Sequence, residues 1–466
     1  MKYSKAQIFA SVHAIPELHF SDVALTSFSG LVVMQALFHK LRLKSRFAKC
    51  LGERRHATMY GLHTVMLLLI VHIMIGFRRL HDVAYYADDP MVARVLGLRR
   101  LPSAATLSRT LRIVNAGDAE AVRAFSRELV CERLGQLAPR RLTLDFDGSV
   151  CDTRAHAEGT AVGMNKKRKG ARSYYPLLCT AAQTSQVFDI LHRPGNVHDS
   201  NGAEDFAVAC FETARAAVPG VILESRMDSA FFSHNMAVLL DDQDVRFTIS
   251  VPFERFTELK GIIEARKRWT RLDDTWDFFT LDWKPQSWTW PFRFIALRRK
   301  SKTQQKGPLQ LNLFEPASHI HEYKVIVTNM DMSARKVLRF HNGRGAQESL
   351  FAEAKTHAAF GYIPVRTQAG NQFFMTACVI AHNLGRELQM SAGKPTRNTT
   401  EKRAPLWAFE HLGTLRRRLI ARAGRITRPG GRLTLTLSPN AAVRRDLLRF
   451  IHSLIGNHNN RAARAA

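Results

Sequence analysis

From about Ser21 to Leu137, apolar residues recur at three- and four-residue spacing between short polar breaks, which predicts an α-helical N-terminal region over residues 1–140. Within it Gly61 to Phe77 (GLHTVMLLLIVHIMIGF) is apolar on every side. A stretch of this length is short for a membrane span, and a helix buried all round in an α-domain explains it better. LPSAATLSRTLRI (Leu101 to Ile113) opens on Pro102 and Ser103, where a helix is capped, and then sets Thr106, Ser108, Arg109 and Arg112 among apolar residues.

The texture changes at Arg141. RLTLDFDGSV alternates apolar and polar positions and ends at Gly148, as a strand running into a turn does. Strand-like runs follow at Tyr175 to Thr184 and Gln186 to His192, then a helical stretch from about Ser200 to Ala217, then VILESRMDS. This mixture predicts an α/β fold with a mixed-sheet core, its first part over 141–234. Between about Asn235 and Glu322 the alternation is strand-rich and holds five of the six tryptophans, which predicts a β-rich insertion over 235–322. YKVIVTN then returns the chain to the core, whose second part covers 323–392 with helices from about Arg344 and over Gln372 to Leu388. The remainder, 393–466, is basic and carries the strand-like GRLTLTLSP.

Lys and Arg outnumber Asp and Glu by 68 to 40, a net charge of +28. Charge of that size, spread along the chain, calls for a polyanionic partner, because neutralising many phosphates releases condensed counterions. Nucleic acid fits this better than an anionic membrane, which one basic amphipathic helix would serve. The helix at Leu101 to Ile113 then suits either an ordinary capped surface element or the second helix of a helix-turn-helix. Lys166, Lys167, Arg168 and Lys169, with Arg172, form a basic run expected to follow the first strand as a loop or hairpin touching phosphates. Arg416, Arg417 and Arg418 could do the same or pack against a neighbouring subunit's DNA, and the sequence leaves the two open. The six cysteines are scattered singly, which argues for a reducing compartment and against structural zinc. The N-terminal residues show no export-signal pattern, so a cytoplasmic location is expected.

Three acids stand where chemistry could be done. In a strand, residues two apart share a face, so Asp145 and Asp147 point one way while Leu144 and Phe146 point the other. Asp228 ends a second apolar run and is followed by Ser229 and Ala230, with Glu224 on its face; as a bland alternative it caps the next helix. His341, Arg344, Glu348 and Lys355 fall at steps of three, four and seven, and so line one stripe of a helix. Carboxylates on rigid elements can hold two Mg²⁺ or Mn²⁺ ions for phosphoryl transfer, with cationic side chains beside the phosphates. Asp145 is the rival for the first acid and Glu353 the rival for the third.

The array H-x-x-R-x-x-x-E-x-x-x-x-x-x-K, His341 to Lys355, resembles the Y-R-E-K signature of bacterial insertion-sequence DDE transposases. Asp147-Gly148-Ser149 and Arg226 to Ser229 are similar to the surroundings of that family's first and second acids, and Ala381 to Leu384 to its A-x-N-L-like ending. The likeness runs from about Leu142 to Leu388 and departs at His341, where the family has tyrosine. It implies a ribonuclease H-like catalytic core interrupted by a β-rich insertion and preceded by a helical DNA-binding region. Asp147, Asp228 and Glu348 would be the catalytic and metal-holding residues for two Mg²⁺ or Mn²⁺ ions. His341, Arg344 and Lys355 would meet DNA. The reaction implied is cleavage at the ends of an element and transfer of its 3′ strands, acting on double-stranded terminal inverted repeats and target DNA. A homodimer on DNA is also implied, with no membrane partner and a location at the bacterial nucleoid when bound. A metal-dependent nuclease that does not join strands and a non-catalytic DNA-binding protein are the rival readings.

Overall fold

The computed structural model describes residues 15–52, 60–154, 156–163, 165, 168–198, 200–300 and 321–455. The N-terminal helical periodicity becomes α1 (Leu31–Lys40), α2 (Leu43–Leu51), α3 (Leu62–Ile75), α4 (Pro90–Leu96), α5 (Ala104–Arg112) and α6 (Ala116–Leu137). Helix α3 is the apolar stretch, and it is buried on nearly every side. Among the described residues no single helix is long and apolar enough to cross a membrane, although α3 and the bent 3-10 turn Leu80–Tyr86 pass together on length and composition. Helix α5 starts where the sequence places it, with Ser103 accepting the Thr106 amide, a cap worth about 1 kcal/mol.

The core is a nine-stranded mixed sheet. Its strands are β1 (Arg141–Gly148), β2 (Leu177–Ala181), β3 (Gln186–Leu191), β4 (Ile222–Met227), β5 (Arg246–Val251), β6 (Thr270–Arg271), β7 (Asp277–Leu281), β8 (Arg293–Lys300) and β9 (His321–Thr328). They lie in the order β6-β7-β8-β9-β5-β4-β1-β2-β3. β1, β2 and β3 pair antiparallel, whereas β1, β4 and β5 run parallel. Helix α7 (Ala203–Ala217) provides the crossover before β4, and its Phe206 and Phe211 pack edge-on against Phe146 beneath the sheet.

The segment expected as a β-rich insertion supplies strands but also helices. It begins with α8 (His234–Asp242), supplies core strand β5, and contains α9 (Thr257–Ala265) before β6 to β8 extend the same sheet antiparallel. Phe256, Leu259 and Ile263 have helical rather than strand spacing, and Leu259 and Ile263 are buried. Of its tryptophans Trp283 and Trp288 are buried, while Trp290 is exposed.

On the other side of the sheet lie α10 (Ala334–Asn342), α11 (Gly345–His357) and α12 (Gln368–Ser391). Helix α12 is buried almost throughout, and it shares one apolar core with α1 to α6 and with the last helix, α13 (Ala441–Ile455). The N-terminal and C-terminal regions therefore close a single core rather than forming separate packing units. The strand expected in GRLTLTLSP is Thr434–Leu437; it pairs with Gly424–Thr427, which in turn pairs with Leu25–Thr26.

Candidate active site

The two central strands carry a ladder of polar pairs on one face. Period-two geometry puts Thr143, Asp145 and Asp147 on one face of β1, and puts Glu224 and Arg226, followed by Asp228, on the matching face of β4. Their parallel register sets Thr143 beside Glu224 and Asp145 beside Arg226. The pairing ends at that rung: Asp147 lies two residues further along β1, and Asp228 lies two residues further in the chain, just past the end of β4.

The lower rungs are internally satisfied. Thr143 Oγ1 donates to Glu224 at 3.0 Å, and Arg141 and Arg403 complete that carboxylate's partners. Arg226 Nε and Nη2 each donate to an Asp145 oxygen at 2.6 Å, and both side chains are essentially without solvent contact. Asp145, the rival first acid, is thus consumed by a buried ion pair. Asp147 and Asp228 therefore leave the two adjacent strands at the same end of the ladder, and carboxylates brought near each other there repel unless a cation intervenes.

A cation is supplied in part by the chain. Arg344 Nη1 lies 3.1 Å from Asp147 Oδ2. Arg344 immediately precedes α11, and Glu348 is exposed in that helix's first turn, one turn beyond it. Gln347 Nε2 donates to the Asp145 carbonyl at 2.9 Å, which docks the start of α11 on the end of β1. Asp228 accepts the Ala230 amide at 2.9 Å, so the capping role weighed from sequence is also real, for a short 3-10 turn.

The stripe expected from His341 to Lys355 is interrupted. Helix α10 ends at Asn342, and a turn of i to i+3 bonds through Gly343 and Arg344 leads into α11. Arg344, Glu348 and Lys355 remain together on the α11 side, with Lys355 half-buried. His341 does not. It is buried over β5, with Nδ1 3.0 Å from Thr248 Oγ1 and Nε2 2.9 Å from Ser250 Oγ. Burial, then Lys324, Arg344 and Arg226, hold its pKa well below the usual histidine value, so it is neutral. The expected DNA contact at His341 gives way to a structural role, because both ring nitrogens are already engaged inside the core.

Glu353, the rival third acid, is likewise structural. It is buried and bound by Arg386, by His411 and by the Leu412 amide at 2.7 Å. Of the basic run, Arg168 is exposed and pairs with Asp152 at 2.8 Å, and Lys169 is exposed. Both lie in the excursion joining β1 to β2; Lys166 and Lys167 fall outside the described residues. Arg416 caps α3 through the Ile73 and Met74 carbonyls, and Arg418 pairs with Glu410 and Asp446. Only Arg417 of that trio is exposed.

Sequence reasoning passed over Lys324 on β9. Its Nζ donates to Asn342 Oδ1 at 3.0 Å, and its pKa is lowered to about 8 by burial and then by Arg344 and Arg299. It sits in an ordinary alternating strand, with no motif to mark it.

The donor set suits a hard divalent cation, since carboxylate oxygens are its preferred ligands and Asp147 and Asp228 lie beyond the same end of the paired register. Among the described residues no three His, Cys, Asp or Glu side chains already form a cage. Arg344 stands at Asp147 instead.

The family model described as transposase DDE domain group 1 matches residues 16–459. The chain belongs to that transposase family. No protein of curated function is significantly similar to it in sequence. Among solved structures it is similar to the piggyBac transposase synaptic complex with hairpin DNA, determined by cryo-electron microscopy. The two share 12% identity with a TM-score of 0.38, over 77% of this chain and 76% of that one. As a DDE transposase-family member the protein is of a kind that cuts and transfers DNA.

Proposed function

We propose that this transposase cleaves the ends of an insertion sequence and transfers the 3′ strands to target DNA, with Asp147, Asp228 and Glu348 as its reacting triad. The observation that carries this reading is the end of the polar ladder: Asp147 at the end of β1 and Asp228 just past the end of the adjacent parallel β4, with the Arg344–Glu348 turn docked beside the first. The arrangement of β3-β2-β1-β4-β5, three antiparallel strands and then two parallel, supports a ribonuclease H-like core.

Asp147, Asp228 and Glu348 would hold two Mg²⁺ or Mn²⁺ ions, which supply Lewis-acid polarisation of the scissile phosphate and activation of the attacking oxygen. The chain's own groups do the rest. Arg344 and Lys355 bind and orient phosphates from α11, and Lys324 adds positive potential close by. Arg168 and Lys169, with Lys166 and Lys167, follow the DNA backbone beyond the end of β1. The helical N-terminal region, α5 above all, offers a surface for the terminal repeats. The partners are double-stranded terminal inverted repeats and target DNA, engaged by a homodimer at the nucleoid in the bacterial cytoplasm, with no membrane partner.

The test is Mg²⁺- or Mn²⁺-dependent cleavage and joining of DNA carrying the element's own ends, comparing wild type with Asp147→Asn, Asp228→Asn and Glu348→Gln. All three variants are expected to bind DNA and to do neither reaction. Cleavage by wild type without any joining would favour a nuclease, and binding without either reaction a DNA-binding protein.

A further inference from the structure

We infer that Arg226 is a positioning residue. Its buried guanidinium sets where α11, and with it Arg344 and Glu348, meets Asp147 and Asp228. This rests on the reading of those carboxylates as the reacting site.

One side chain ties together three separate parts of the fold. Nε and Nη2 grip Asp145 on β1, two residues before Asp147. Nη1 donates to the Phe340 carbonyl in the last turn of α10 at 3.2 Å and to the Lys402 carbonyl at 3.0 Å, in the segment that follows α12. The guanidinium carbon also lies 5.3 Å from the centre of the Phe340 ring.

The break between α10 and α11 is built around this contact. A Cβ on Gly343 would stand 2.0 Å from Arg226 Nη1 and 2.3 Å from the Lys402 carbonyl oxygen, so only glycine admits the guanidinium there. Gly343 is followed at once by Arg344 and α11, and Gln347 returns to the same strand through the Asp145 carbonyl. The first acid, the second acid and the start of the third acid's helix are therefore all referenced to Arg226. Asp145 on one side and two carbonyls on the other fix the plane of the fork. Lysine, with a single ammonium on a flexible stem, cannot reproduce that geometry.

The experiment uses the full-length protein with Arg226→Lys and with the double substitution Asp145→Leu plus Arg226→Met. The double variant replaces the buried ion pair by apolar groups, so no charge is stranded and folding can be retained. Hydrogen exchange should quicken by about tenfold or more at residues 345–350 in both variants, with α3 and α12 unchanged, whereas a merely destabilised protein would quicken throughout. DNA affinity should stay within about twofold while Mn²⁺-dependent strand cleavage at saturating DNA falls about 100-fold, the effect of a reacting group displaced by roughly 1 Å.

Wild-type exchange at residues 345–350, or wild-type cleavage, in a folded double variant would overturn the proposal. Recovery of both readouts by Arg226→Lys would overturn the argument from the fork. If the unmodified protein itself fails to cleave, the triad reading falls, while the exchange measurement still decides whether Arg226 places α11.

Discussion

Arg344 Nη1 lies 3.1 Å from Asp147 Oδ2, so Asp147 is held by the residue one helical turn before Glu348. The pair is partly exposed, and such a pair contributes up to about 1 kcal/mol. Arg344→Gln should therefore cost little stability and, by removing a competing cation, tighten Mn²⁺ binding to the DNA-free protein by up to about fivefold. Cleavage should nevertheless fall, because the guanidinium proposed to orient phosphate is lost. Manganese titration followed by electron paramagnetic resonance reads the first effect; unchanged affinity would mean that the arginine does not compete.

Asp145 and Asp147 are two residues apart and should respond oppositely to neutralisation. Asp145→Asn strands a buried guanidinium and should cost about 3–5 kcal/mol in chemical denaturation. Asp147→Asn should cost about 1 kcal/mol or less, yet abolish cleavage. The reverse pattern would move the first ligand to Asp145.

Stability should fall as the pH drops below the ordinary histidine range. Burial lowers the pKa of His72 and of His382 to about 4 and that of His192 to about 3. Below about pH 6.5 the unfolded chain takes up protons that the folded chain refuses, so each such histidine removes about 1.4 kcal/mol per pH unit until its folded pKa is reached. Urea titrations at pH 7, 6 and 5 measure the slope. His72→Gln should flatten it by one proton's worth; an unaltered slope would assign the acid sensitivity elsewhere.

Arg416 closes α3 at Gly76, whose φ of 111° is open to glycine and strained for other residues. Its guanidinium donates to the Ile73, Met74 and His357 carbonyls. Arg416→Met should destabilise the protein by about 2–3 kcal/mol, the worth of charged hydrogen bonds lost in a buried place. Calorimetry should show that loss with DNA affinity little changed; a selective loss of DNA affinity instead would return Arg416 to the phosphate-binding surface.

The acids were legible because local rules place them: period-two alternation orients Asp147, and three- and four-residue steps align Arg344 with Glu348. That Asp147 and Asp228 lie at the same end of adjacent strands was not, since the register of two strands distant in sequence has no local signature. His341 was misplaced because the fifteen-residue stripe outweighed a local signal: Asn342-Gly343-Arg344-Gly345 holds breaker residues. What the sequence does not announce is that Arg226 reaches Gly343 from β4. The A-x-N-L-like ending was legible as a motif, but what it does was not. Its Asn383 exchanges hydrogen bonds with the Val187 backbone at 2.9 and 2.8 Å, opposite the register shift between β2 and β3. The segment 235–322 was read as β-rich, with no helix placed in it, because its tryptophans and alternating strands outweigh two short helices.

The shared helical core also bears on the fate of damaged copies. Leu447 and Phe450 of α13 belong to the same apolar interior as Leu31 and Leu37 of α1, and Gly424–Thr427 pairs with Leu25–Thr26. A stop codon or frameshift between Gly424 and Leu447, though far downstream of Asp147, Asp228 and Glu348, would uncover the interior that the first helices rely on. Such a shortened product would not persist as a DNA-binding inhibitor of its intact sibling; it would be a substrate for proteolysis.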